Sequence, residues 1–255
     1  MLRIQNLVKR YGHGEPVLRG LDLDVPGESV VSIIGASGAG KSTLLATLTG
    51  ELTPSAGQVL LDQRPLASWS AQERARRMAV LPQSSSLAFA FEVQEVVAMG
   101  RMPHASGQRR DADILRAAMA AADVSHLAAR SYLSLSGGER QRVHLARVLA
   151  QVWDSAEQGC LLLDEPTASL DLAHQHLTLQ QAREMASRGL AVLVVLHDLN
   201  LAARYADRLL LLHEGRVCAQ GSPWEVLQVE RLEQVFKVPV RVQPHPLHDC
   251  PLVLS

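Results

Sequence analysis

The sequence has few cysteines, few aromatic residues, no surplus of charge and no long hydrophobic run. Its three cysteines are widely spaced and form no C-x-x-C pair, which favours a reduced compartment over a disulfide framework. A formal net charge of −1 excludes the strong attraction to phosphate backbones that nucleic-acid-binding proteins show, and we expect no nucleic acid partner. The longest aliphatic run, 190–196, is far too short to span a membrane, and we expect no signal peptide. With 47% apolar residues, the chain can bury the core of one large or two modest domains.

A glycine-rich segment at 35–43 is the strongest local signal in the chain. It matches the phosphate-loop pattern G-x-x-x-x-G-K-[ST] at every fixed position. Its residues are Gly35, Ala36, Ser37, Gly38, Ala39, Gly40, Lys41, Ser42 and Thr43. The apolar run 28–34 predicts a buried strand before the loop, and 42–49 predicts a helix behind it, which Gly50 can end.

This order of strand, loop and helix predicts a site for a nucleoside di- or triphosphate. Backbone N–H groups of such a loop wrap the phosphates, helped by the positive end of the helix. Lys41 can reach the β- and γ-phosphates, and the Ser42 hydroxyl can ligate Mg²⁺. The alternative is a glycine-rich turn with a solvated lysine, but that alternative leaves the flanking strand and helix unexplained.

An acidic pair, Asp164 and Glu165, ends a second apolar strand further along the chain. A carboxylate at such a strand end can hold Mg²⁺ beside a phosphate loop, and the next residue can point at an attacking water. Alone, the pair would fit a solvated strand end equally well. Because a phosphate loop precedes it, we predict that Asp164 is a metal residue, with Ser42, and that Glu165 is catalytic.

Between these motifs the chain reads L-S-G-G-E-R-Q-R from Leu135 to Arg142. Ser136, Gly137 and Gly138 at a helix start can form a second anion site, with N–H groups and a hydroxyl facing outward. A lone S-G-G is weak, but the order of the three motifs is specific. In this order the sequence resembles the nucleotide-binding subunit of an ABC transporter, and the resemblance covers nearly the whole chain.

The resemblance implies an α/β fold of the P-loop NTPase class. This ABC cassette has a RecA-like α/β core, an N-terminal antiparallel β subdomain and an inserted α-helical subdomain. We place the ATP-binding core with the β subdomain at 1–83 and 155–255, and the helical signature subdomain at 84–154. The change from strand to helical patterns after Gln83 supports the first of these boundaries.

The resemblance also assigns roles to four residues outside the three motifs. Gln83 corresponds to the Q-loop and would sense Mg²⁺ and the γ-phosphate. His197 corresponds to the switch histidine and would position the water that Glu165 polarises. Tyr11 would stack on adenine, and Asp171 would contact the opposite subunit as part of the D-loop. Taken singly, a capping histidine, a polar loop residue and a packed tyrosine are the simpler interpretations, but their joint order favours the functional roles.

The resemblance further implies an assembly. Two copies pack head to tail and bury two ATP molecules, each between one copy's phosphate loop and the other copy's Ser136, Gly137 and Gly138. The ATPase would be peripheral, at the cytoplasmic face of the bacterial inner membrane. Its partners would be an integral membrane permease dimer and, indirectly, a periplasmic substrate-binding protein.

The segment after Gln83 resembles importers of the iron-siderophore, vitamin B12 and haem group. Its S-S-L-A-F-x-F form, together with 153–157, looks most like haem importers. No physical argument supports this choice of cargo, because the ATPase never touches it. A siderophore or vitamin B12 importer stays open. A non-transport ABC ATPase is disfavoured by the single cassette without a basic surplus, and a monomeric P-loop kinase or GTPase leaves 135–142 unexplained.

Four further segments lead to expectations that a structure can check. Alternation at 17–25 predicts a half-exposed strand with Leu18 on the face of Gly20, Asp22 and Asp24. The segment 155–159 is predicted to be a turn. Arg101, His104, Arg109 and Arg110 are expected to form a solvated basic face. His245, His248 and Cys250 could bind a metal or haem, but a solvated, proline-rich tail is favoured because no fourth ligand is evident.

Overall fold

Strands and helices alternate along most of the chain in this computed structural model, which describes residues 1–85, 87–155 and 159–255. The predicted turn at 155–159 and the haem-importer-like positions 86, 156 and 157 therefore lie wholly or partly outside the described residues. The strands are β1 (Leu2–Arg10), β2 (Pro16–Val25), β3 (Ser29–Ile34), β4 (Ala56–Leu61), β5 (Arg64–Pro65), β6 (Met78–Leu81), β7 (Cys160–Asp164), β8 (Ala191–Val195), β9 (Arg208–His213), β10 (Arg216–Gly221), β11 (Arg241–Pro244) and β12 (Pro251–Leu254). The α-helices are α1 (Lys41–Leu48), α2 (Ala71–Arg77), α3 (Val93–Ala98), α4 (Gln108–Ala121), α5 (Gly137–Val152), α6 (Leu172–Ser187), α7 (Leu199–Tyr205), α8 (Pro223–Val226) and α9 (Val229–Phe236).

The central sheet determines where the functional residues meet. Its order is β10-β9-β3-β8-β7-β6, and all neighbours pair in parallel except β9 and β10, which form a hairpin. The carboxyl ends of parallel strands meet at the same edge of a sheet. Asp164 pairs with Val195 across β7 and β8, and Leu81 pairs with Leu163 across β6 and β7. The residues that follow β3, β6, β7 and β8 therefore lie together at that edge.

An antiparallel sheet in the order β2-β1-β4-β5 covers one face of the central sheet through a shared apolar core. The face predicted for Leu18 is wrong, because Leu18 is buried with Leu21 while Asp22 is exposed. The cause is a bulge. Leu7 pairs with Leu21, but the next residue of β1 pairs with Arg19, so Gly20 is skipped at a φ of +78°.

A helical segment that includes α3, α4 and α5 packs on the β6 side of the central sheet. Apolar residues from all three helices are buried together: Val93, Val96, Val97, Ile114, Ala118, Val143 and Leu149. The α/β core, the antiparallel sheet and the inserted helices confirm the predicted fold class, while the exact subdomain boundaries stay a prediction. Within the described ranges, no helix has the length and apolarity that crossing a bilayer needs.

Arg101 is buried rather than part of a solvated basic face, so that expectation is wrong for this residue. Its guanidinium donates to the Asp111 carboxylate (2.8 Å), to the Ser106 hydroxyl (2.7 Å) and to the Ala150 carbonyl (2.8 Å). These bonds tie the start of α4 to the end of α5, and they satisfy a charge that burial would otherwise destabilise. His104 is half-buried, with its Nε2 atom 2.8 Å from the Gln151 carbonyl oxygen, so the expectation is wrong for this residue too, whereas Arg109 and Arg110 are exposed, as expected.

The solvated tail is also a wrong expectation, because β11 and β12 form an antiparallel hairpin that docks on α7. The Asn200 side chain donates to the Val253 carbonyl (3.0 Å) and accepts from the Val253 N–H (2.7 Å). Cys250 is buried, and the rings of His245 and His248 stack with centroids 4.7 Å apart. Throughout the part of the chain that the structure describes, no three His, Cys, Asp or Glu side chains are grouped so that they could hold a metal ion.

Candidate active site

The phosphate loop joins β3 to α1 in a conformation that its glycines make possible. A Cβ at Gly35 would overlap the carbonyl oxygen of Leu212, and Gly40 has a φ of +105° directly before α1. Ala39 is buried and its carbonyl accepts from the Gly215 N–H at 3.0 Å, which anchors the loop to the turn between β9 and β10. Ser37, Gly38 and Ser42 are exposed, so the loop offers its outer rim to solvent.

Lys41 lies inside this loop and is only 7% exposed. Its ammonium donates to the carbonyls of Gly35 (2.8 Å) and Ala36 (3.0 Å). Burial lowers the pKa of Lys41, and the carboxylates of Glu165 and Asp164 oppose that shift. The cation is therefore held at the loop, near the two carboxylates at the end of β7, which lies two strands away from β3 in the central sheet.

Asp164 ends β7 half-buried, next to Glu165. Burial and the neighbouring Glu165 carboxylate raise the pKa of Asp164, against the effect of Lys41 and His197. Two adjacent carboxyl groups in a partly desolvated position favour a cation between them and the phosphate site. The Ser42 hydroxyl and the Asp164 carboxylate provide oxygen ligands of the kind that Mg²⁺ prefers, so these residues fit the ion.

Three side chains predicted to be catalytic meet at the edge of the sheet. The Glu165 carboxylate accepts from the Gln83 amide at 2.7 Å through one oxygen and contacts His197 Nε2 at 2.5 Å through the other. Gln83 follows β6, Glu165 follows β7 and His197 follows β8. Glu165 has a φ of +47°, rare for a residue with a side chain, and its N–H donates to the Val195 carbonyl (3.1 Å).

These groups line one open cleft of ≈ 450 Å³. Its walls are Val17, Ser37, Gly38, Gly40, Lys41, Ser42, Thr43, Gln83, Glu165 and His197. Tyr11 lies beside this cleft: its hydroxyl is 3.4 Å from the Thr43 hydroxyl and the residue is 51% exposed. An exposed ring in this position can stack on a planar base. The cleft thus combines the phosphate loop, the Lys41 ammonium and the Glu165 carboxylate, against which Gln83 and His197 lie.

Ser136, Gly137, Gly138 and Asp171 are not among the described residues that line this cleft. Residues 136–138, the signature turn, instead pack on the D-loop (169–171) of their own chain: a Cβ at Gly138 would lie 3.2 Å from the Ser169 carbonyl oxygen. The Ser136 hydroxyl oxygen accepts from the Glu139 N–H (3.3 Å) and caps α5, which leaves its proton available to donate. Within one chain, the two predicted phosphate-binding surfaces are separate.

Sequence reasoning missed a buried pair, Tyr132 and His144, that connects the segment after Gln83 to α5. The Tyr132 hydroxyl is 3.3 Å from the Ser85 carbonyl oxygen and 2.9 Å from His144 Nε2. A carbonyl can only accept, so the hydroxyl donates to Ser85 and accepts from His144, whose proton is then on Nε2. A histidine between Val143 and Leu145 in an apolar helix stripe is the signal that could have indicated this pair.

We expect His144 to make the free energy of unfolding fall in mild acid. Burial lowers the pKa of His144 to about 4, below its ordinary value of 6.5. Between these two pH values, His144 is protonated in the unfolded chain but neutral in the folded chain. Stability from this group is therefore complete above pH 6.5 and is lost as the pH falls towards 4. Between pH 7 and pH 5 the loss is about 2 kcal/mol. Urea unfolding at both pH values should show this loss in the wild type and not in His144→Gln; equal losses would contradict it.

A family model described as ABC transporter matches residues 18–168, more than half of the chain. The chain belongs to the ABC transporter family. It is 59% identical to the hemin import ATP-binding protein HmuV of Pseudomonas fluorescens Pf-5, and 59% identical to that of Pseudomonas aeruginosa PAO1, over 100% of both chains in each case. Among solved structures, the dimeric ABC transporter cassette MJ0796 superposes with a TM-score of 0.75 at 26% identity, covering 87% of this chain and 98% of that one.

The family match confirms the resemblance to ABC transporter cassettes that the sequence motifs indicated. The similarity to haem importers, noted on the segment after Gln83, is likewise confirmed as a similarity. The roles of single residues stay predictions. The structure supports them to the extent that it brings Gln83, Glu165 and His197 together across a cleft from Lys41.

Proposed function

We propose that this chain is the ATP-hydrolysing subunit of a haem importer, peripheral to the cytoplasmic face of the bacterial inner membrane. One observation supports the assignment of ATP hydrolysis: the Glu165 carboxylate is held between Gln83 and His197 in the cleft that also holds Lys41. The cargo rests on the full-length similarity to proteins named as hemin import ATP-binding proteins.

The chemistry follows from how these side chains are placed. The loop N–H groups and Lys41 hold the β- and γ-phosphates of ATP, and Tyr11 stacks on the adenine. Glu165 accepts a hydrogen bond from the attacking water, and His197 donates to the γ-phosphate and holds that water in line. Ser42, Asp164 and Gln83 would hold Mg²⁺, which would supply positive charge against the phosphates. Because Gln83 contacts Glu165 directly, the position of the Gln83 side chain is coupled to the end of the cleft where the γ-phosphate reacts.

The site becomes complete only with a second copy of the chain. The signature turn lies outside its own chain's cleft, yet Ser136 and Gly137 are exposed there, and N–H groups at the start of a helix are of the kind that bind phosphate. A head-to-tail pair would place that turn on the ATP of the partner, and the similar cassette MJ0796 is dimeric. Each ATP is then enclosed by both chains, which excludes water from the γ-phosphate except for the attacking one.

Phe89 is the best candidate for the contact with a membrane permease. It is 72% exposed, whereas Leu87 and Phe91 pack against the main core. An exposed aromatic ring fits a short apolar helix of a partner better than it fits water. The segment of S-S-L-A-F-x-F form that includes Phe89 begins two residues after Gln83. A permease that contacts Phe89 is therefore coupled, through this short connection, to the catalytic cleft.

Phe89→Asp should release the subunit from permease-containing membranes and stop uptake, while ATP binding and basal hydrolysis stay within about twofold of wild type. Leu247→Asp, at an apolar position on the C-terminal hairpin that is 80% exposed, is the matched control and should remain bound. Sedimentation of membranes with bound subunit measures the difference. A stable, active Phe89→Asp subunit that stays fully membrane-associated would refute the contact.

Transport into proteoliposomes tests the function as a whole. Vesicles that contain the permease, with the substrate-binding protein outside and this chain and ATP at the cytoplasmic side inside, should accumulate haem, but neither cobalamin nor a ferric siderophore at the same concentration. Accumulation of either of these instead would assign the chain to a siderophore or vitamin B12 importer. ATP hydrolysis that responds to DNA or ribosomes, and not to the permease, would contradict transport altogether.

A further inference from the structure

We propose that His174 is a positioning residue for ATP hydrolysis, which holds Asp171 at the surface that meets the second copy; this rests on the head-to-tail pair of the proposed function. Asp171 caps α6 through its Oδ1 atom. That oxygen accepts from the backbone N–H of His174 at 2.9 Å and from its ring Nδ1 at 2.8 Å. The first bond is an ordinary helix cap, whereas the second depends on the imidazole.

The ring of His174 is itself fixed from its other side. Its Nε2 atom lies 3.4 Å from the Asp123 carboxylate, which also accepts from the Arg142 guanidinium at 2.9 Å. Arg142 is buried on α5, and the Asp123 carbonyl is a second acceptor for it. The imidazole therefore lies between a carboxylate of the core and a carboxylate of the helical segment: Nδ1 donates to Asp171, and Nε2 can donate to Asp123 as well only when the ring carries both protons.

This arrangement leaves one oxygen of Asp171 for a partner. Both bonds from His174 end on Oδ1, and Oδ2 accepts no hydrogen bond from any residue in the described parts of the chain. The side chain is 67% exposed. The backbone N–H of His174, with the ring as a further donor, lowers the pKa of Asp171, so the group stays ionised at neutral pH.

The signature turn packs against the loop that leads into Asp171. Gly138 lies against the Ser169 carbonyl and the Leu170 side chain, which directly precede Asp171. Asp171 and the turn that begins at Ser136 thus form one continuous surface of the chain. If the ring of His174 is lost, the backbone cap remains, but the carboxylate can rotate away from the direction in which it meets the second copy.

The test compares two substitutions at one position. His174→Ala removes the ring bond and should lower kcat about tenfold, with KM for ATP within about twofold, because no ATP contact is on this loop in the same chain. His174→Asn places an amide nitrogen where Nδ1 was and should keep kcat within about threefold of wild type. His126→Ala, at an exposed histidine on the helical segment, is the matched control and should be unaffected.

A second measurement does not depend on hydrolysis. NMR titration of the Asp171 carboxyl in the full chain should show its pKa rising in His174→Ala and rising less in His174→Asn. The proposal is overturned if His174→Ala keeps wild-type kcat, if both variants lose kcat equally, or if the Asp171 pKa does not change. A wild-type chain without ATPase activity would instead contradict the proposed function, and the titration would then decide the role of His174.

Discussion

Glu165→Gln should reduce the rate of ATP hydrolysis at least about a hundredfold, a loss of about 2.7 kcal/mol of transition-state stabilisation, while ATP binding stays close to wild type. Among the three side chains that meet at the end of β7, the Glu165 carboxylate is the central one, with the Gln83 amide against one oxygen and His197 Nε2 against the other. An amide of the same shape keeps an oxygen for the Gln83 amide, so the cleft should keep its geometry. It cannot take up the proton of the attacking water.

Phosphate release and nucleotide affinity measure the two halves of this expectation, and sedimentation in ATP should show a trapped dimer. Glu184→Gln provides the control, since Glu184 is a surface carboxylate on α6 paired with Arg188 and should tolerate the same change. If Glu165→Gln still turns over ATP within about threefold of wild type, less than about 1 kcal/mol of barrier, Glu165 is not the general base.

Ser136→Arg should abolish ATP-driven dimerisation, and with it nearly all turnover, without weakening ATP binding to the single chain. Ser136 is exposed at the start of α5, outside the cleft that holds Lys41. A long side chain there blocks the surface that a partner's phosphates would reach, whereas the phosphate loop of the same chain is untouched. Nucleotide affinity and sedimentation, measured on one preparation, separate these effects.

Two controls isolate the bulk of the arginine from the loss of the helix cap. Ser136→Ala removes the cap, which costs about 1 kcal/mol of stability, but adds no bulk and should still dimerise. Ser134→Arg adds the same side chain at an exposed position two residues earlier. Weaker ATP binding by Ser136→Arg together with normal dimerisation would mean that the signature turn acts on its own chain's nucleotide.

Local motifs made most of the catalytic cleft predictable from the sequence. The phosphate loop needs glycines at fixed positions, and Gly35 and Gly40 are in fact where the backbone has no room or an unusual φ. Gln83 and His197 carried weaker signals. Their meeting with Glu165 follows from the parallel order of β6, β7 and β8, which brings their carboxyl ends to one edge.

What the sequence could not predict depends on contacts between distant residues. The bulge at Gly20 arises from register with β1, and strict alternation along β2 gives no sign of it. Arg101 resembles any surface arginine until Asp111 and the end of α5 fold around it. The link from Asp171 through His174 to Asp123 ends on a residue 51 positions before His174, and no local pattern marks it.

The structure of the Glu165→Gln variant with ATP and Mg²⁺ tests the shared site most directly. We predict two copies related head to tail, with each γ-phosphate contacted by Lys41 of one copy and by the N–H groups of Gly137 and Gly138 of the other. Tyr11 should stack on the adenine, and Asp171 should face the opposite copy. An ATP enclosed by a single chain, with the signature turn remote from every phosphate, would contradict the proposed mechanism.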